Sequence, residues 1–330
     1  MSVGDPFRRE VETLPEQFLW EPEARGRLAG EAPLVIGGMG GSALAGDFLA
    51  LRLEGRRPVT VVRDEVLPPG IAADAEVLCI SCSGNTGETL ALREEALARG
   101  HAVAAIASGG ELLERTRAAD AVRCAIPGGL SPRSSLGYMI RAGLAVVGVE
   151  DREGPAVAEH LTGIRERWVE PGLGEQPAEA FEVAWLLHGT LPVLASVEAH
   201  TAVAARRWAA DLAENAKMIV ATWGFPEAAH NQIMAYAFPG DQNLRPVLLT
   251  LGEVRHPARR RRWEVTEQLL RDRGATLRRV ADPHPDPWIE ALGLAYLGDW
   301  VSVLLAEFEG LPAADLNLMN ELKARLRQPE

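Results

Sequence analysis

Short apolar runs alternate with longer helical patterns along the first 150 residues. Each run precedes a glycine turn or a helical segment, and the five runs lie at 34–37, 59–62, 77–81, 102–106 and 121–126. Continuous β-branched runs of this kind are typical of strands buried on both faces of a parallel sheet. Helices predicted at about 42–53 and 86–99 lie between them. This half of the pattern predicts an α/β fold with a doubly wound parallel sheet flanked by helices.

The second half repeats the theme after a stretch rich in Pro, Gly and Glu at about 150–178. A helix at 156–168 is predicted to cross part of that stretch. Strands are predicted at 191–196, 218–223, 245–250 and 275–280, and helices at 199–217, 288–309 and 315–327. We therefore expect two similar α/β lobes, residues 1–152 and 153–330, and a glycine-rich turn in the first lobe alone.

The charge balance narrows the range of partners. Asp and Glu outnumber Lys and Arg by 46 to 34, a formal net charge of −12, which disfavours a nucleic-acid or anionic-membrane partner. The basic run 259–262 is expected to be a solvated helix face. No run approaches 18 consecutive apolar residues, and the first residues lack a signal-peptide pattern. Three cysteines give no disulfide framework, so a reducing cytoplasm is expected.

Lysine is almost absent from the chain. Of the 34 basic residues, 32 are arginines and two are lysines, Lys217 and Lys323. Lysine can lose its proton near neutral pH and is a compact point charge, whereas arginine stays charged. Both lysines are therefore candidates for chemical work, with chance survival as the alternative.

A glycine-rich turn follows the first strand. The sequence GGMGGSALAGD, 37–47, opens a helix, where backbone N–H groups and the helix dipole favour an anion. Gly38, Gly40 and Ala43 also match G-x-G-x-x-A, the dinucleotide fingerprint, with Asp64 as its acidic partner. A turn that binds no ligand is the third interpretation, and the motif alone leaves the three open.

A second polar turn favours phosphate over dinucleotide. Ser81, Ser83 and Thr86 follow the strand at 77–81, at the edge of a parallel sheet where ligands bind. A helix cap needs one hydroxyl, and here there are three, so we expect a phosphate site. Arg133 follows a proline just before an apolar helix. It is either the cation of this site or a surface arginine.

The second half offers candidates for proton transfer. Glu214, Asn215 and Lys217 end a helix just before a strand, and a partly buried carboxylate there could act as a base. A solvated Glu–Lys helix end is the alternative. His230 could shuttle a proton, although a lone histidine is more often structural. Cys79 and Cys82 form C-x-x-C, but Cys79 lies inside a predicted strand whereas redox pairs begin a helix, and no second pair completes a zinc site. No histidine spacing suggests a metal site either, so a metal-free site is expected.

Taken in order, these motifs resemble the bifunctional phosphoglucose/phosphomannose isomerases, two-lobed proteins of the sugar isomerase (SIS) superfamily. The resemblance runs from about residue 34 to residue 326 through Gly-Met-Gly-Gly-Ser, Ser-x-Ser-Gly-Asn-Thr, Pro-Arg, Glu-Asn-Ala-Lys, His-Asn and Glu-Leu-Lys. Each motif is short, but six in one order are far more specific than any one.

The resemblance implies roles for particular residues. The 6-phosphate of a hexose would be bound by Gly41, Ser42, Ser81, Ser83 and Thr86. Arg133 would reach into the site and steady the charge of an enediolate. Glu214 would move the proton between C1 and C2. His230, supplied by the partner subunit of a homodimer, and Lys323 would assist ring opening.

The sequence departs from the family pattern at three positions. Cys82 stands where an aromatic residue is usual, and Gln232 stands where the family often has an acid. Ala314 stands where the family has a threonine thought to shape the space near C2 of the sugar, which bears on the mannose epimer.

We expect a cytoplasmic isomerase that interconverts glucose 6-phosphate and fructose 6-phosphate, and also mannose 6-phosphate, without a metal or redox cofactor. Two alternatives remain at this point. One is a non-catalytic SIS module that senses a sugar phosphate, and the other is an NAD(P)-dependent dehydrogenase that uses the glycine turn.

Overall fold

The computed structural model describes residues 6–28, 30–150, 152–169, 178–237 and 245–326. The chain folds into two compact units. The N-terminal unit comprises Glu12–Gly163 and Asp286–Ile289. The C-terminal unit takes its described residues from the ranges Met1–Val11, Ile164–Pro285 and Glu290–Glu330. Each unit is an α/β structure with a sheet flanked by helices, as the sequence predicts. The lobe boundary at residues 152 and 153 stays a prediction.

Six strands form the sheet of the N-terminal unit, in the order β1-β6-β5-β4-β2-β3. They are β1 (Ala24–Arg25), β2 (Leu34–Gly37), β3 (Val59–Val62), β4 (Glu76–Ile80), β5 (Val103–Ala107) and β6 (Arg123–Ala125). All neighbours are parallel except β1, which pairs antiparallel with β6. From β2 the chain adds β3 towards one edge of the sheet, and from β4 it adds β5 and β6 towards the opposite edge. The switch point between β2 and β4 is where open α/β sheets bind ligands.

The helices of this unit include counterparts of those predicted at about 42–53, 86–99 and 156–168. They are α2 (Leu14–Gln17), α3 (Gly40–Arg52), α4 (Gly87–Ala98), α5 (Gly110–Ala118), α6 (Leu136–Val146) and α7 (Gly154–Ile164). Strands β4 and β5 are buried along their whole length, as expected for the middle of a sheet covered on both faces. A Cβ on Gly37 would lie 2.6 Å from the Leu92 side chain, so α4 packs directly on β2.

The C-terminal unit has a four-stranded parallel sheet in the order β10-β9-β7-β8. Its strands are β7 (Leu191–Ser196), β8 (Ala221–Gly224), β9 (Pro246–Leu251) and β10 (Thr276–Val280). The chain runs outward from β7 to β8 and from β9 to β10, so the switch point lies between β7 and β9. Trp223, Trp263 and Tyr236 are among the buried aromatics that fill the core against one face of this sheet.

The remaining helices are α1 (Pro6–Glu12), α8 (Glu179–Leu187), α9 (Ala199–Glu214), α10 (Pro257–Asp272), α11 (Pro287–Glu309) and α12 (Asn317–Leu326). A π-helical turn, Arg165–Val169, continues α7. Helix α11 is the one described helix with the length and apolar composition of a membrane span, and its apolar stretch is wholly buried in the protein. Core helices of soluble proteins have the same composition, and we interpret α11 as one.

The predicted elements differ from the observed ones mainly at their ends. Strands 34–37, 59–62 and 191–196 have the predicted bounds, and β8 begins three residues later than predicted. The run 259–262 is a solvated face of α10, as expected. Strand β1 is not recognisable from the sequence, because two residues are too few to give a hydrophobic period. Arg327, the predicted end of α12, lies outside the described residues.

Candidate active site

The glycine turn between β2 and α3 brings the backbone close to two other segments. A Cβ on Gly38 would lie 2.9 Å from the carbonyl oxygen of Ile80, and one on Gly41 would lie 2.7 Å from that of Pro132. Gly40 has a φ of +51°, a left-handed conformation that favours glycine. The glycines are therefore required for close approach and turning. Met39 caps α3 without a side-chain hydrogen bond.

The serine turn after β4 holds a compact group of hydroxyls. The hydroxyls of Ser81 and Thr86 are 2.9 Å apart, and the N–H of Gly84 donates to Ser81 Oγ at 3.1 Å. Thr86 is the N-cap residue of α4, yet its side chain does not cap the helix. The capping interpretation is therefore wrong for Thr86. Ser83 is exposed, and its Oγ accepts the N–H of Asn85 at 3.3 Å.

Hydrogen bonds join the two turns to each other and to the segment before α6. The N–H of Cys82 donates to Ser42 Oγ at 3.2 Å, and Cys82 Sγ lies 3.6 Å from Ser135 Oγ. Ser135 Oγ donates in turn to the carbonyl of Ser131 at 2.9 Å. The N-terminal unit thus brings the glycine turn, the serine turn and the Arg133 segment together at the switch point.

Arg133 is buried rather than on the surface. It lies in a single 3₁₀ turn, Pro132–Ser134, and keeps 4% of its surface exposed. Gln17, fully buried in α2, fixes this segment: its amide donates to the carbonyl of Ser134 at 2.6 Å, and its oxygen accepts the N–H of Gly137 at 3.0 Å. The role of Gln17 is not recognisable from the sequence, because Gln17 precedes its partners by more than 110 residues and belongs to no motif.

The combined arrangement suits an anion. Helices α3 and α4 start at this edge with N-cap residues whose side chains leave the first N–H groups uncapped. Helix N-termini attract anions through those N–H groups and the helix dipole. Ser42 and Ser81 add buried hydroxyls, and Arg133 adds a buried guanidinium. Together these groups can hold a phosphate dianion.

Glu214 is the last residue of α9 in the C-terminal unit, and it is half-buried. A buried ionic cluster joins the preceding turns of α9 to α11: Arg207 Nε is 2.7 Å from an oxygen of Asp211 in the same helix and 2.9 Å from one of Asp299 in α11. Burial raises the pKa of Asp211 well above its usual range, even though the guanidinium of Arg207 opposes that shift. Burial alone would lower the pKa of Arg207, but the combined attraction of the Asp211 and Asp299 carboxylates is larger, so the pKa of Arg207 is raised.

Two neighbours of Glu214 fix the end of its helix. Asn215 is fully buried and donates from its amide to Ser302 Oγ at 2.8 Å, and Ser302 donates to the carbonyl of Asp299 at 2.7 Å. Lys217 Nζ donates to the carbonyls of Glu214 and Asp315, the latter at 2.7 Å. Lys217 therefore ties the end of α9 to the loop before α12.

The other two predicted residues of this unit are exposed. His230 ends a 3₁₀ turn, Glu227–His230, and Lys323 lies on α12, which buries none of its residues. The structure thus gathers Gly41, Ser42, Ser81, Thr86 and Arg133 in the N-terminal unit. Glu214, His230 and Lys323 lie on three separate elements of the C-terminal unit.

The features that suggested other chemistry have structural roles. Asp64 accepts the N–H groups of Glu65 and Val66 at 2.7 and 3.2 Å, so its carboxylate stabilises its own turn. Cys79 and Cys82 are free and buried, and burial raises the pKa of both thiols, that of Cys79 to about 12. Within the described ranges, no three or more His, Cys, Asp or Glu side chains are grouped as a metal site.

Comparisons with known proteins agree with the sequence motifs. Residues 176–326 match the family described as bacterial phospho-glucose isomerase C-terminal SIS domain. A bifunctional phosphoglucose/phosphomannose isomerase of Aquifex aeolicus is 34% identical over 96% of this chain and 97% of its own length. One from Caldicellulosiruptor bescii is 29% identical over 89% of each chain.

Solved structures share the fold. Tagatose-6-phosphate ketose/aldose isomerase from Escherichia coli has a TM-score of 0.67 at 15% identity, over 93% of this chain and 94% of its own. Glucosamine-6-phosphate deaminase from Thermotoga maritima has a TM-score of 0.67 at 13% identity, over 94% and 96%. The fold is that of SIS proteins, and the sequence relatives decide the family. The chain is an isomerase and belongs to the bifunctional phosphoglucose/phosphomannose isomerase family.

Proposed function

We propose that this protein interconverts glucose 6-phosphate and fructose 6-phosphate, and mannose 6-phosphate and fructose 6-phosphate, through a cis-enediol. The observation that carries the proposal is the joined glycine and serine turns at the switch point of the N-terminal unit, in a member of this isomerase family. Residues 1–152 act as the phosphate-binding lobe, and residues 153–330 supply the groups that move protons.

The phosphate of the substrate binds at the joined turns. Gly41 offers its N–H group and Ser42 its hydroxyl from the start of α3, while Ser81, Ser83 and Thr86 offer hydroxyls around the start of α4. Arg133 adds the positive charge. The phosphate is remote from the reacting carbons, so its binding energy orients C1 and C2 without taking part in the chemistry.

Glu214 is the base that transfers the proton between C1 and C2. Isomerisation of the open-chain aldose removes the proton from C2, forms the enediol and returns a proton to C1, so no net oxidation of the sugar occurs. A half-buried carboxylate on a fixed helix end suits this step. The Asn215–Ser302 hydrogen bond and the Lys217 contacts support that fixed position. Arg133 stabilises the charge that develops on the enediolate oxygen.

Ring opening needs an acid and a base at the ring oxygen and the C1 hydroxyl, and we assign it to His230 and Lys323. Both side chains are exposed and, among the described residues, form no hydrogen bond or ion pair. Histidine titrates near neutral pH and can move a proton either way. The reaction is redox-neutral, so it requires no nicotinamide, and in our proposal side chains alone carry out the proton transfers, without a metal. The substrates belong to central sugar metabolism, which fits a cytoplasmic enzyme.

Exposed apolar side chains, together with the exposed His230, support a homodimer in which His230 acts in the active site of the partner subunit. Apolar side chains on α12 are largely exposed, with Leu318 at 83% and Leu326 at 75%, and Trp185 on α8 is 63% exposed. Exposed apolar surface of this kind is typical of protein interfaces. A dimer would cover it and place the 3₁₀ turn of His230 against the neighbouring subunit.

Replacement of Glu214 tests the catalytic assignment. In a coupled assay that offers both hexose 6-phosphate epimers, we expect Glu214→Gln to lower kcat by about two to four orders of magnitude, the usual contribution of a general base. Fructose 6-phosphate should still bind with nearly unchanged affinity in calorimetry. Glu267→Gln, on α10 and paired with Arg271, is the matched control. Turnover of Glu214→Gln within a few-fold of the native enzyme would show that another group is the base.

The epimer preference follows from the same assay. Ala314 lies exposed in the turn before α12, where a threonine is the family residue. Isomerisation of glucose 6-phosphate without any of mannose 6-phosphate would restrict the proposal to the first pair of sugars.

Mixing two inactive variants tests the shared site. If His230 acts across the interface, subunits with Glu214→Gln and subunits with His230→Ala form mixed dimers in which one of the two sites is intact. Co-refolding equal amounts should then restore about a quarter of the native activity. No recovery in mixtures whose heterodimers are verified by mass would place His230 in its own subunit's site.

A further inference from the structure

A second polar cavity lies at the outer edge of the N-terminal sheet. It has a volume of about 500 Å³, within the range of small-molecule sites. We call it the arginine pocket. Three arginines, two glutamates and a set of apolar residues line it: Arg25, Arg117, Arg123, Glu21, Glu23, Trp20, Leu113, Ala125, Ile126 and Pro127. None of these residues belongs to the glycine turn, the serine turn or the Arg133 segment.

Two of the arginines lie directly opposite each other on neighbouring strands. Arg25 of β1 pairs with Arg123 of β6 in a two-residue antiparallel ladder. Side chains at opposed positions project from the same face with their Cβ atoms about 5 Å apart, and like charges there are destabilising. Both arginines also border a second cavity of about 530 Å³. The pair therefore forms a charged ridge between two open spaces.

The protein neutralises this ridge incompletely. Arg123 has Asp120 at 3.7 Å, but the Asp120 side chain is fully exposed, and exposed pairs contribute little. Glu21 is paired with Arg141, which lies outside the pocket. Arg25 and Arg117 make no ion pair with any residue that the structure describes. Because Glu21 is paired with Arg141, the three arginines of the pocket outnumber its other carboxylate, Glu23, together with the nearby Asp120, in a chain whose net charge is −12.

A structural role explains the position of Arg117 but not that of Arg25 opposite Arg123. Arg117 lies in the last turn of α5, where the helix dipole favours a cation. Arg25 lies at no helix end, and it forms no ion pair with any residue that the structure describes. An anion held between the guanidinium groups would remove the repulsion.

We propose that the arginine pocket binds a small organic phosphate at a site separate from the substrate. Guanidinium groups present paired N–H donors that match the oxygens of phosphate. Trp20, Leu113 and Ile126 offer an apolar wall for the rest of the ligand. The pocket borders β1 and β6, and β5 lies between β6 and the switch point of β2 and β4. It is therefore a second site and not an extension of the first.

Calorimetry with ATP, a phosphate ester with a flat apolar base, tests the proposal. We expect saturable binding to the native protein and at least tenfold weaker binding to the double variant Arg25→Gln, Arg117→Gln. Arg56→Gln, an exposed arginine of the same unit, is the matched control and should bind as the native protein does. Ser81→Ala should also retain ATP binding, which separates this site from the serine turn.

Thermal unfolding provides the second measurement. ATP should raise the Tm of the native protein and leave that of the double variant unchanged, because a ligand stabilises only the state that binds it. Without ATP the double variant should melt at the same temperature as the native protein or higher, since the repulsion between Arg25 and Arg123 is removed. Absence of saturable binding at millimolar ATP, or equal binding by the native protein and the double variant, would overturn the proposal.

Discussion

The two units have the same kind of switch point, but one is open to an anion and the other is filled by the protein. In the N-terminal unit, α3 starts after β2 at Met39, whose φ and ψ are −122° and 151°. In the C-terminal unit, α9 starts after β7 at Glu198, whose φ and ψ are −112° and 155°. The backbone of the two N-cap residues is thus nearly the same, and the difference lies in the side chain.

Glu198 fills its switch point with a carboxylate. Its side chain accepts the N–H of Thr201 in a capping box, and it accepts the N–H groups of Arg255 and His256 after β9 at 3.1 and 3.3 Å. Arg259 pairs with the same carboxylate. These are the kinds of donor that hold a phosphate at a helix N-terminus. The C-terminal unit thus supplies a carboxylate of its own at this helix N-terminus, which supports our proposal that the substrate phosphate binds in the N-terminal unit.

This contrast gives a physical reason for our proposal that only one of the two similar lobes binds the phosphate. Parallel sheets with the same crossovers create an anion-attracting edge in each unit. Whether that edge becomes a site depends on one N-cap side chain and on whether glycines leave room for a ligand. The C-terminal unit instead supplies Glu214, the catalytic base of our proposal, from the far end of α9.

Exchange of the N-cap residue should have the largest effect. Met39→Glu places a carboxylate where we propose that phosphate binds, and unit charges about 4 Å apart near a surface repel by several kcal/mol. We expect KM for hexose 6-phosphates to rise about 100-fold while the Tm stays equal or increases, because the helix gains a cap. Steady-state kinetics and a thermal melt measure both. Met39→Gln, of the same size and uncharged, is the control. If Met39→Glu changed KM less than threefold, the anion would bind elsewhere.

The reverse change in the C-terminal unit should affect stability and not catalysis. Glu198→Gln removes the charge that four groups share, and loss of an N-cap costs about 1 to 2 kcal/mol. We expect the free energy of unfolding in urea to fall by about that amount, with kcat and KM unchanged. Glu264→Gln, on an exposed face of α10, should leave stability unaltered. A large rise in KM for Glu198→Gln would show that this switch point also faces the substrate.

Alkaline pH should destabilise the N-terminal unit, which contains all three cysteines. Burial raises the pKa of the Cys79 thiol from 9.0 to about 12. The unfolded chain releases this proton above pH 9 while the native protein keeps it, so stability is lost as pH rises from 9 towards 12. The free energy of unfolding should then fall by up to about 1.4 kcal/mol per pH unit for this one thiol. Urea unfolding between pH 8 and 10.5 measures it, and Cys79→Ala should flatten the slope. An unchanged slope would mean that the thiolate of Cys79 is tolerated in the core.

Local sequence was enough to predict much of the proposed phosphate site. The residues of the two turns follow strands whose apolar runs are plain, and the carboxyl ends of parallel strands meet at one edge. Ser81 and Thr86 could therefore be placed together before the structure was known. Gln17 could not, because its role depends on a contact with Ser134 more than 110 residues away. Lys217 was a candidate for chemistry, whereas the structure gives it carbonyl partners at a helix end.

By itself, the sequence determined the two α/β units, the order of the motifs along the chain and the family. Hydrophobic periodicity and short turn motifs are local properties of the chain. Only the tertiary structure decided that Arg133 is buried, that Glu198 occupies the second switch point and that Arg25 faces Arg123. Each of these depends on which segments pack side by side. A side chain's burial, charge partner and hydrogen bonds come from neighbours distant in sequence, and no local pattern records them.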